Sequence, residues 1–535
     1  MLLALLALLA VAVLASCATG GGSAGSQPTG VTDLHASPGL HASPGHIVID
    51  ATGPTAPFDR RLLGTNAPAW IGPKKLADPS FRRRIEDLGT TVIRMPGGSW
   101  SSSYNWIACE NRDATGCNWT WAARPSDYAD FLGATGVDGM WTVDINSTSQ
   151  SAAALVAFFN GSVGDARTIG VDRQGHDWGT VGQWATLRAT TGHPAPQPVK
   201  YWEIGNEVYG AKAASAPGCA SFGWEDAWTC DGGTYVTGDG THDGFSAFRS
   251  AMRLVDPTIM VGAVGIGGDQ HEWNDFGQKV ISKTAGALDF YIVHDYGFSN
   301  SPSTQAVLER PEQQVSKVVE GPRRELAGEN VSVTVPIAVT EYNLFAFADG
   351  DTTGMMSQSI DALYVADTIG QMAAQGVQMA DHWNLVNGVN KTGSDYGMLD
   401  PDTSAPKPQF FGLALWSRFG TSMVPVTVGF DSRTQLTAYG GRRADGTLTL
   451  LVINKSAESL NAEIDILGAT MAYSSVADVA AARALDSTSM TYNGATLGDD
   501  PLAAHPGQPF ESVAGTPIER TVAPFSITLL TLTPQ

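Results

Sequence analysis

Short apolar runs of five to seven residues recur along the chain from residue 46 onward, and stretches with helical spacing of apolar positions lie between them. The runs at 62–66, 91–95, 140–145, 199–205, 259–264, 288–294, 337–341 and 379–384 predict strands. Residues 79–88, 149–159, 243–254 and 357–374 predict helices between them. Eight strands alternating with helices predict a parallel sheet, and eight is the number that closes a (β/α)8 TIM barrel. An open doubly wound sheet is the competing topology, but no glycine-rich phosphate loop follows the first run. Past residue 415 the helical spacing gives way to short alternating runs at 436–439, 448–454, 462–466 and 526–532, the pattern of an antiparallel β-sandwich. The predicted organisation is a barrel over 46–415 followed by a C-terminal β-sandwich over 416–535, to which 46–58 offers an extra strand.

The N-terminal end has a different texture. Residues 1–16 are almost all Leu, Ala and Val, too short a run to span a bilayer but the length of a signal-peptide core. Leu14-Ala15-Ser16-Cys17 resembles a bacterial lipobox, in which Cys17 would be lipidated, although no Lys or Arg precedes the run. The expectation is an exported protein, either secreted or held at the cell surface or in the periplasm by that lipid. Residues 18–45 are rich in Gly, Ser and Pro and read as a flexible tether; His35, His41 and His46 are read as solvated residues rather than metal ligands.

Composition narrows the partners. Of 535 residues, 53 are acidic and 32 basic, a net charge of −21 that argues against nucleic acid and suits a neutral polymer. Fourteen Trp and thirteen Tyr suit stacking on sugar faces, and equally suit core packing. Besides Cys17, the cysteines fall into two close pairs, Cys109 with Cys117 and Cys219 with Cys230, read as local disulfides. Zinc is the rival reading; neither pair has its Cys-x2-Cys spacing.

Working residues of a barrel sit at the C-terminal ends of its strands. Those ends hold Asn66, Arg94, Asn146, Asn206-Glu207, His294 with Tyr296, Glu341 and Trp383-Asn384. Two carboxyls at one barrel mouth, Glu207 after the fourth strand and Glu341 after the seventh, are the minimum apparatus for splitting a glycosidic bond. Glu207 would be the acid/base, kept protonated by the charge of Glu341, and Glu341 the nucleophile, kept ionised by Arg94. Asn206 would hydrogen-bond the sugar, Tyr296 would orient Glu341, and Trp383 would stack on the sugar or serve the core. His294 reads as a contact to acid or sugar, or as a structural histidine. Asn66 and Asn146 complete the expected substrate contacts. No cofactor is predicted: His271-Glu272 lacks a zincin's second His, and the Gly262–Gly268 run lacks the Lys-Ser/Thr of a P-loop.

From about Leu62 to its end the chain resembles a clan A glycoside hydrolase and is most similar to glycoside hydrolase family 51, the α-L-arabinofuranosidases. The resemblance rests on Arg188-Ala189-Thr190-Thr191-Gly192-His193-Pro194 leading into Tyr201-Trp202-Glu203-Ile204-Gly205-Asn206-Glu207, and on Arg94-Met95-Pro96-Gly97-Gly98-Ser99 with Tyr104-Asn105-Trp106. It also covers Asn146 through Phe159-Asn160-Gly161. It implies retention of configuration, Glu207 as acid/base, Glu341 as nucleophile and a C-terminal sandwich; members of the family are often oligomers. The family usually has Asp-Glu-Trp where this chain has Thr340-Glu341-Tyr342, and Trp383-Asn384-Leu385 is closer to families 39, 30 and 79. Behind arabinofuranosidase stand β-xylosidase, β-glucuronidase and endo-glucanase, and a non-catalytic carbohydrate-binding surface lipoprotein.

Overall fold

The computed structural model describes residues 41–117, 119–329, 335–468 and 471–535. Cys17, the apolar leader and most of the tether lie outside the described residues. Eight parallel strands close into a barrel in sequence order: Gly64–Asn66, Val92–Met95, Asp138–Val143, Tyr201–Ile204, Met260–Val264, Phe290–Phe298, Ile337–Phe345 and Met379–His382, the last pairing back onto the first.

Side chains two apart on a strand share a face, so the barrel interior fills in layers. The lower layer is apolar, with Val92, Met140, Tyr201, Ile292, Ala338 and Met379 in one buried cluster. Two residues further along the same strands stand Arg94, Thr142, Glu203, His294, Thr340 and Asp381. One step in a period of two therefore turns a packed floor into a polar platform facing the C-terminal mouth.

Strand boundaries differ from the sequence pattern where polar residues interrupt it. The sixth and seventh strands continue to Phe298 and Phe345, pairing with a register shift at Val293/His294. His294, Asp295, Glu341 and Asn343 break the apolar runs there, although the backbone stays extended. The first strand is shorter, because Leu62 and Leu63 lie in a 3-10 turn capped by Asp59. The helix Thr304–Gly328 is missing from the sequence pattern, since Pro311 and Pro322 inside it read as breaks.

The C-terminal part is a two-sheet β-sandwich. The smaller sheet runs Val426–Val428, His46–Asp50, Leu460–Leu467, Ile518–Val522, so the segment before the barrel is one of its strands. Ile47, Ile49, Leu450, Val452, Ile464 and Leu530 belong to the core between the sheets. Barrel and sandwich meet over the fully buried helix Ser359–Ala374. There Asp367 pairs with Lys455 at 2.7 Å, both side chains 1% exposed, and accepts a hydrogen bond from Tyr439. Among the described residues no helix is long and apolar enough to cross a membrane.

Candidate active site

Arg94 is the hub of the polar platform. Its side chain is fully buried and donates from Nε to Glu203 Oε2 (2.5 Å), from Nη1 to Asn66 Oδ1 (2.9 Å) and Glu341 Oε1 (2.7 Å), and from Nη2 to Asn206 Oδ1 (2.7 Å). Burial alone would lower its pKa, but Glu203 and Glu341 raise it above the ordinary arginine value. Glu341 Oε2 accepts from the Tyr296 hydroxyl at 2.7 Å. One guanidinium and one phenol thus fix both oxygens of this carboxylate.

Glu207 leaves the fourth strand through Gly205 and Asn206 and adopts a left-handed backbone (φ 37°), a conformation that costs a non-glycine residue about 1 kcal/mol. Its Oε1 accepts from the Tyr209 hydroxyl (2.9 Å) and pairs with His294 Nδ1 (2.8 Å); its Oε2 accepts from the Trp224 indole (2.5 Å). Burial would raise the Glu207 carboxyl, but His294, Trp224 and Tyr209 together hold it below the ordinary value. His294 moves the other way: burial would lower it, but Glu341 and Glu207 raise it. Both directions favour the proton of this pair on His294, against the expectation that the charge of Glu341 raises Glu207. On the far side of the ring His294 Nε2 lies 3.1 Å from Thr340 Oγ1, whose hydroxyl donates to Glu203 at 3.2 Å, so Nε2 carries a hydrogen.

Oxygens of Glu207 and Glu341 and a His294 nitrogen lie within 4.8 Å of one another. One oxygen of each carboxyl is thus close to one of the other, as in retaining glycosidases, whose carboxyl groups stand roughly 5–5.5 Å apart. The three groups could also offer one atom each to a cation. Here their oxygens already accept hydrogen bonds from Arg94, Tyr296, Tyr209 and Trp224, and the Arg94 charge beside Glu341 opposes a second cation.

Other expected residues land at or near the mouth with altered roles. Asn206, also buried, gives its oxygen to Arg94 and donates to Glu225 Oε1 at 2.9 Å, and its second amide hydrogen has no acceptor among the described residues. Asn66 is fully buried, accepting from Arg94 and donating to the carbonyls of Thr340, Asp381 and His382. It positions Arg94 and cannot reach a substrate. Asn146 is exposed, and its amide donates to the carbonyls of Ser102 and Asp226 and ties two loops together. Trp383 stands above Gly97-Gly98, where a Cβ on Gly98 would sit 2.5 Å from the indole. Both glycines have positive φ, so the loop can press against that ring only without side chains. Cys109–Cys117 and Cys219–Cys230 are both disulfides.

Glu203, Tyr209, Trp224 and Glu225 escaped the sequence reading. Glu203 had a visible signal, a carboxylate inside an apolar strand two residues before Gly205. Trp224 and Glu225 had none; they lie in the loop stapled by Cys219–Cys230, which lays one against Glu207 and the other against Asn206 and Ser99. Burial first, and the Glu207 charge second, push the Glu225 carboxyl up to about 8. A carboxyl raised in the folded state holds a proton that the unfolded chain has released, so its stabilising share is full below pH about 4.5 and fades as pH rises to about 8. Urea midpoints of wild type should therefore fall across that window by up to a few kcal/mol relative to Glu225→Gln, at ~1.4 kcal/mol per pKa unit. Parallel curves for the two proteins would refute the assignment.

No protein-family model matches the chain. Its sequence is 24% identical over 233 residues to an intracellular exo-α-(1→5)-L-arabinofuranosidase of Bifidobacterium longum, a match covering 42% of this chain and 35% of the relative. A similar Bacillus subtilis enzyme, intracellular exo-α-(1→5)-L-arabinofuranosidase 1, is 25% identical over 221 residues, covering 40% and 37%. The chain thus spans little more than a third of the length of these two relatives. Among solved structures, the arabinose complex of the Thermotoga maritima α-L-arabinofuranosidase superposes with a TM-score of 0.69 at 17% identity, covering 92% of this chain and all of that one. The family 51 enzyme of Thermotoga petrophila gives 0.66 at 18%, covering 91% and 99%. A Paenibacillus polymyxa xyloglucanase of family 44 gives 0.60 at 15%, covering 92% and 100%. The chain has the barrel-and-sandwich fold of solved family 51 α-L-arabinofuranosidases, and curated sequence relatives bear the same activity in their names.

Proposed function

We propose that the protein is a retaining glycoside hydrolase of the α-L-arabinofuranosidase type. The observation that carries this reading is the pair Glu207 and Glu341 within 4.8 Å at a barrel mouth, each held by its own set of donors. Glu341 attacks the anomeric carbon while Glu207 passes a proton to the departing oxygen, and the sugar is left as an ester on Glu341. That proton is stored on His294 Nδ1, 2.8 Å from Glu207. Glu207, left as a carboxylate, then takes a proton from the water that cleaves the ester, and the product keeps the starting configuration. The names of the sequence relatives and the family 51 likeness favour L-arabinofuranose as the sugar.

The test is a panel of aryl glycosides carrying α-L-arabinofuranoside, β-D-xylopyranoside, β-D-glucoside and β-D-glucuronide, with the first-formed anomer read by NMR. Cleavage of the arabinofuranoside with release of the α-anomer is the expected result. Release of the β-anomer first would overturn the double displacement, and turnover of another member alone would overturn the sugar.

Export belongs to the same reading. The Leu/Ala/Val-rich start and Cys17 support a leader and a lipid anchor, and two disulfides suit an oxidising compartment.

A further inference from the structure

A third carboxyl lies close to Glu207 and Glu341 and takes no part in the double displacement. Glu225 is 0% exposed, out of reach of a substrate, and a carboxyl buried this far is costly unless its partners need it. Those partners all stand at the barrel mouth. Oε1 accepts from the Ser99 hydroxyl at 2.5 Å and from the Asn206 amide at 2.9 Å, and Oε2 faces the Ser102 hydroxyl at 3.5 Å. Ser99 and Ser102 follow the second strand and Asn206 follows the fourth, so one side chain links two strand ends.

The backbone fixes where that carboxyl can go. Trp224 and Glu225 both donate their N–H to the carbonyl of Gly210, at 2.9 and 3.0 Å, and the Lys212 N–H donates to the Glu225 carbonyl at 3.0 Å. A Cβ on Gly210 would sit 2.5 Å from the Trp224 indole, so only glycine lets the loop fold back this closely. Cys219–Cys230 closes the excursion around it. Glu225 is thereby anchored to the same short stretch of chain that carries Glu207.

Asn206 shows what this anchoring achieves. Its side-chain oxygen accepts from Arg94 Nη2 at 2.7 Å, and one amide hydrogen goes to Glu225. With both ends of the amide engaged, its plane is held and the second hydrogen takes one direction. A sugar hydroxyl beside the reacting carbon would accept that hydrogen, in a contact that strengthens in the transition state. We propose that Glu225 is a positioning residue, which holds the Asn206 amide so that its second hydrogen meets the hydroxyl next to the anomeric carbon. The proposal rests on the glycosidase reading for the sugar and on the hydrogen bonds of Asn206 for the rest.

The surrounding charges keep Glu225 neutral at mild pH. Burial first, then Glu207 and, more weakly, Glu341, push its carboxyl up to about 8. Tyr209 is the other titratable group that senses it, Arg94 is engaged across Asn206, and neighbouring Asp226 is paired with Lys212 at 2.5 Å. A glutamine therefore matches the protonated side chain in charge and shape.

Two readouts test the proposal. In protein labelled with 15N at asparagine, the Asn206 side-chain signal, assigned by its loss in Asn206→Ala, should shift with a midpoint near pH about 8 and stay flat in Glu225→Gln. In kinetics, Glu225→Leu should lower kcat on the aryl arabinofuranoside about tenfold with KM little changed, and should spare the 2-deoxy analogue. Glu225→Gln should recover most of that loss, and Glu225→Leu added to Asn206→Ala should cost nothing further. Equal losses on both substrates would overturn the proposal, as would additive losses in the double variant or an Asn206 signal indifferent to Glu225→Gln. The signal needs only Glu225→Gln, so it decides even where Glu225→Leu does not fold. A wild type that cleaves no aryl glycoside while its Asn206 signal follows Glu225 would sink the glycosidase reading and leave the hold on Asn206 standing.

Discussion

Glu341→Gly is expected to lower kcat/KM on the cleaved aryl glycoside by about 10⁴-fold or more, and added azide to restore turnover as a glycosyl azide of inverted configuration. The reasoning is geometric. Removing the Glu341 side chain opens a space on the face of the sugar that it attacks, and azide entering there displaces the leaving group in a single step. Glu207→Gly gives the opposite stereochemistry. An aryl leaving group needs little protonation, so the ester on Glu341 still forms, and azide then attacks it from the side that Glu207 vacated. Two displacements return the original configuration. The pair of azides therefore assigns the roles independently of any rate. The same configuration from both variants would mean that one of the two carboxylates has been given the wrong task.

Those two glutamates are legible in the chain for a simple reason: each follows an apolar run at the point where a barrel strand reaches its mouth. Arg94 and Tyr296 are legible on the same grounds. What the pattern conceals is which polar group a strand-end residue spends itself on. Asn66 and Asn206 look alike in sequence, yet the three acceptors around the Asn66 amide consume it, and Asn206 keeps a hydrogen free. His294 illustrates a second difficulty. A spacing argument places it near Glu207, but the resting place of the proton depends on Trp224 and Tyr209, and Trp224 arrives from a loop seventeen residues on. Long loops escape periodicity altogether, which is why Trp224 and Glu225 had to be seen in three dimensions. The barrel itself is legible because its lower layer is uniformly apolar; the extension of its sixth and seventh strands past residues 294 and 341 is not, because His294, Asp295, Glu341 and Asn343 interrupt the alternation.

Arg94→Met should be the most damaging substitution that removes neither Glu207 nor Glu341. Glu203 and Glu341, 0% and 7% exposed, both rely on this guanidinium, and so do the oxygens of Asn66 and Asn206. Stranding buried charge in this way costs about 3–5 kcal/mol of stability, to be read from urea midpoints. Arg94→Lys should fall between, since an ammonium is a point donor with three hydrogens and cannot serve four acceptors arrayed around a planar fork. Activity should drop by about 10²-fold or more in both, because Glu341 loses one of the two donors that aim it. A second substitution separates the structural debt from the catalytic one. Adding Glu203→Gln to Arg94→Met removes one stranded charge, so about 1–3 kcal/mol of stability should return. Turnover should not return with it, because Glu341 remains unaimed. Recovery of both together would mean that Arg94 acts on catalysis only through folding, and failure to recover stability would place the cost of losing Arg94 at Glu341 or the two asparagines instead of Glu203.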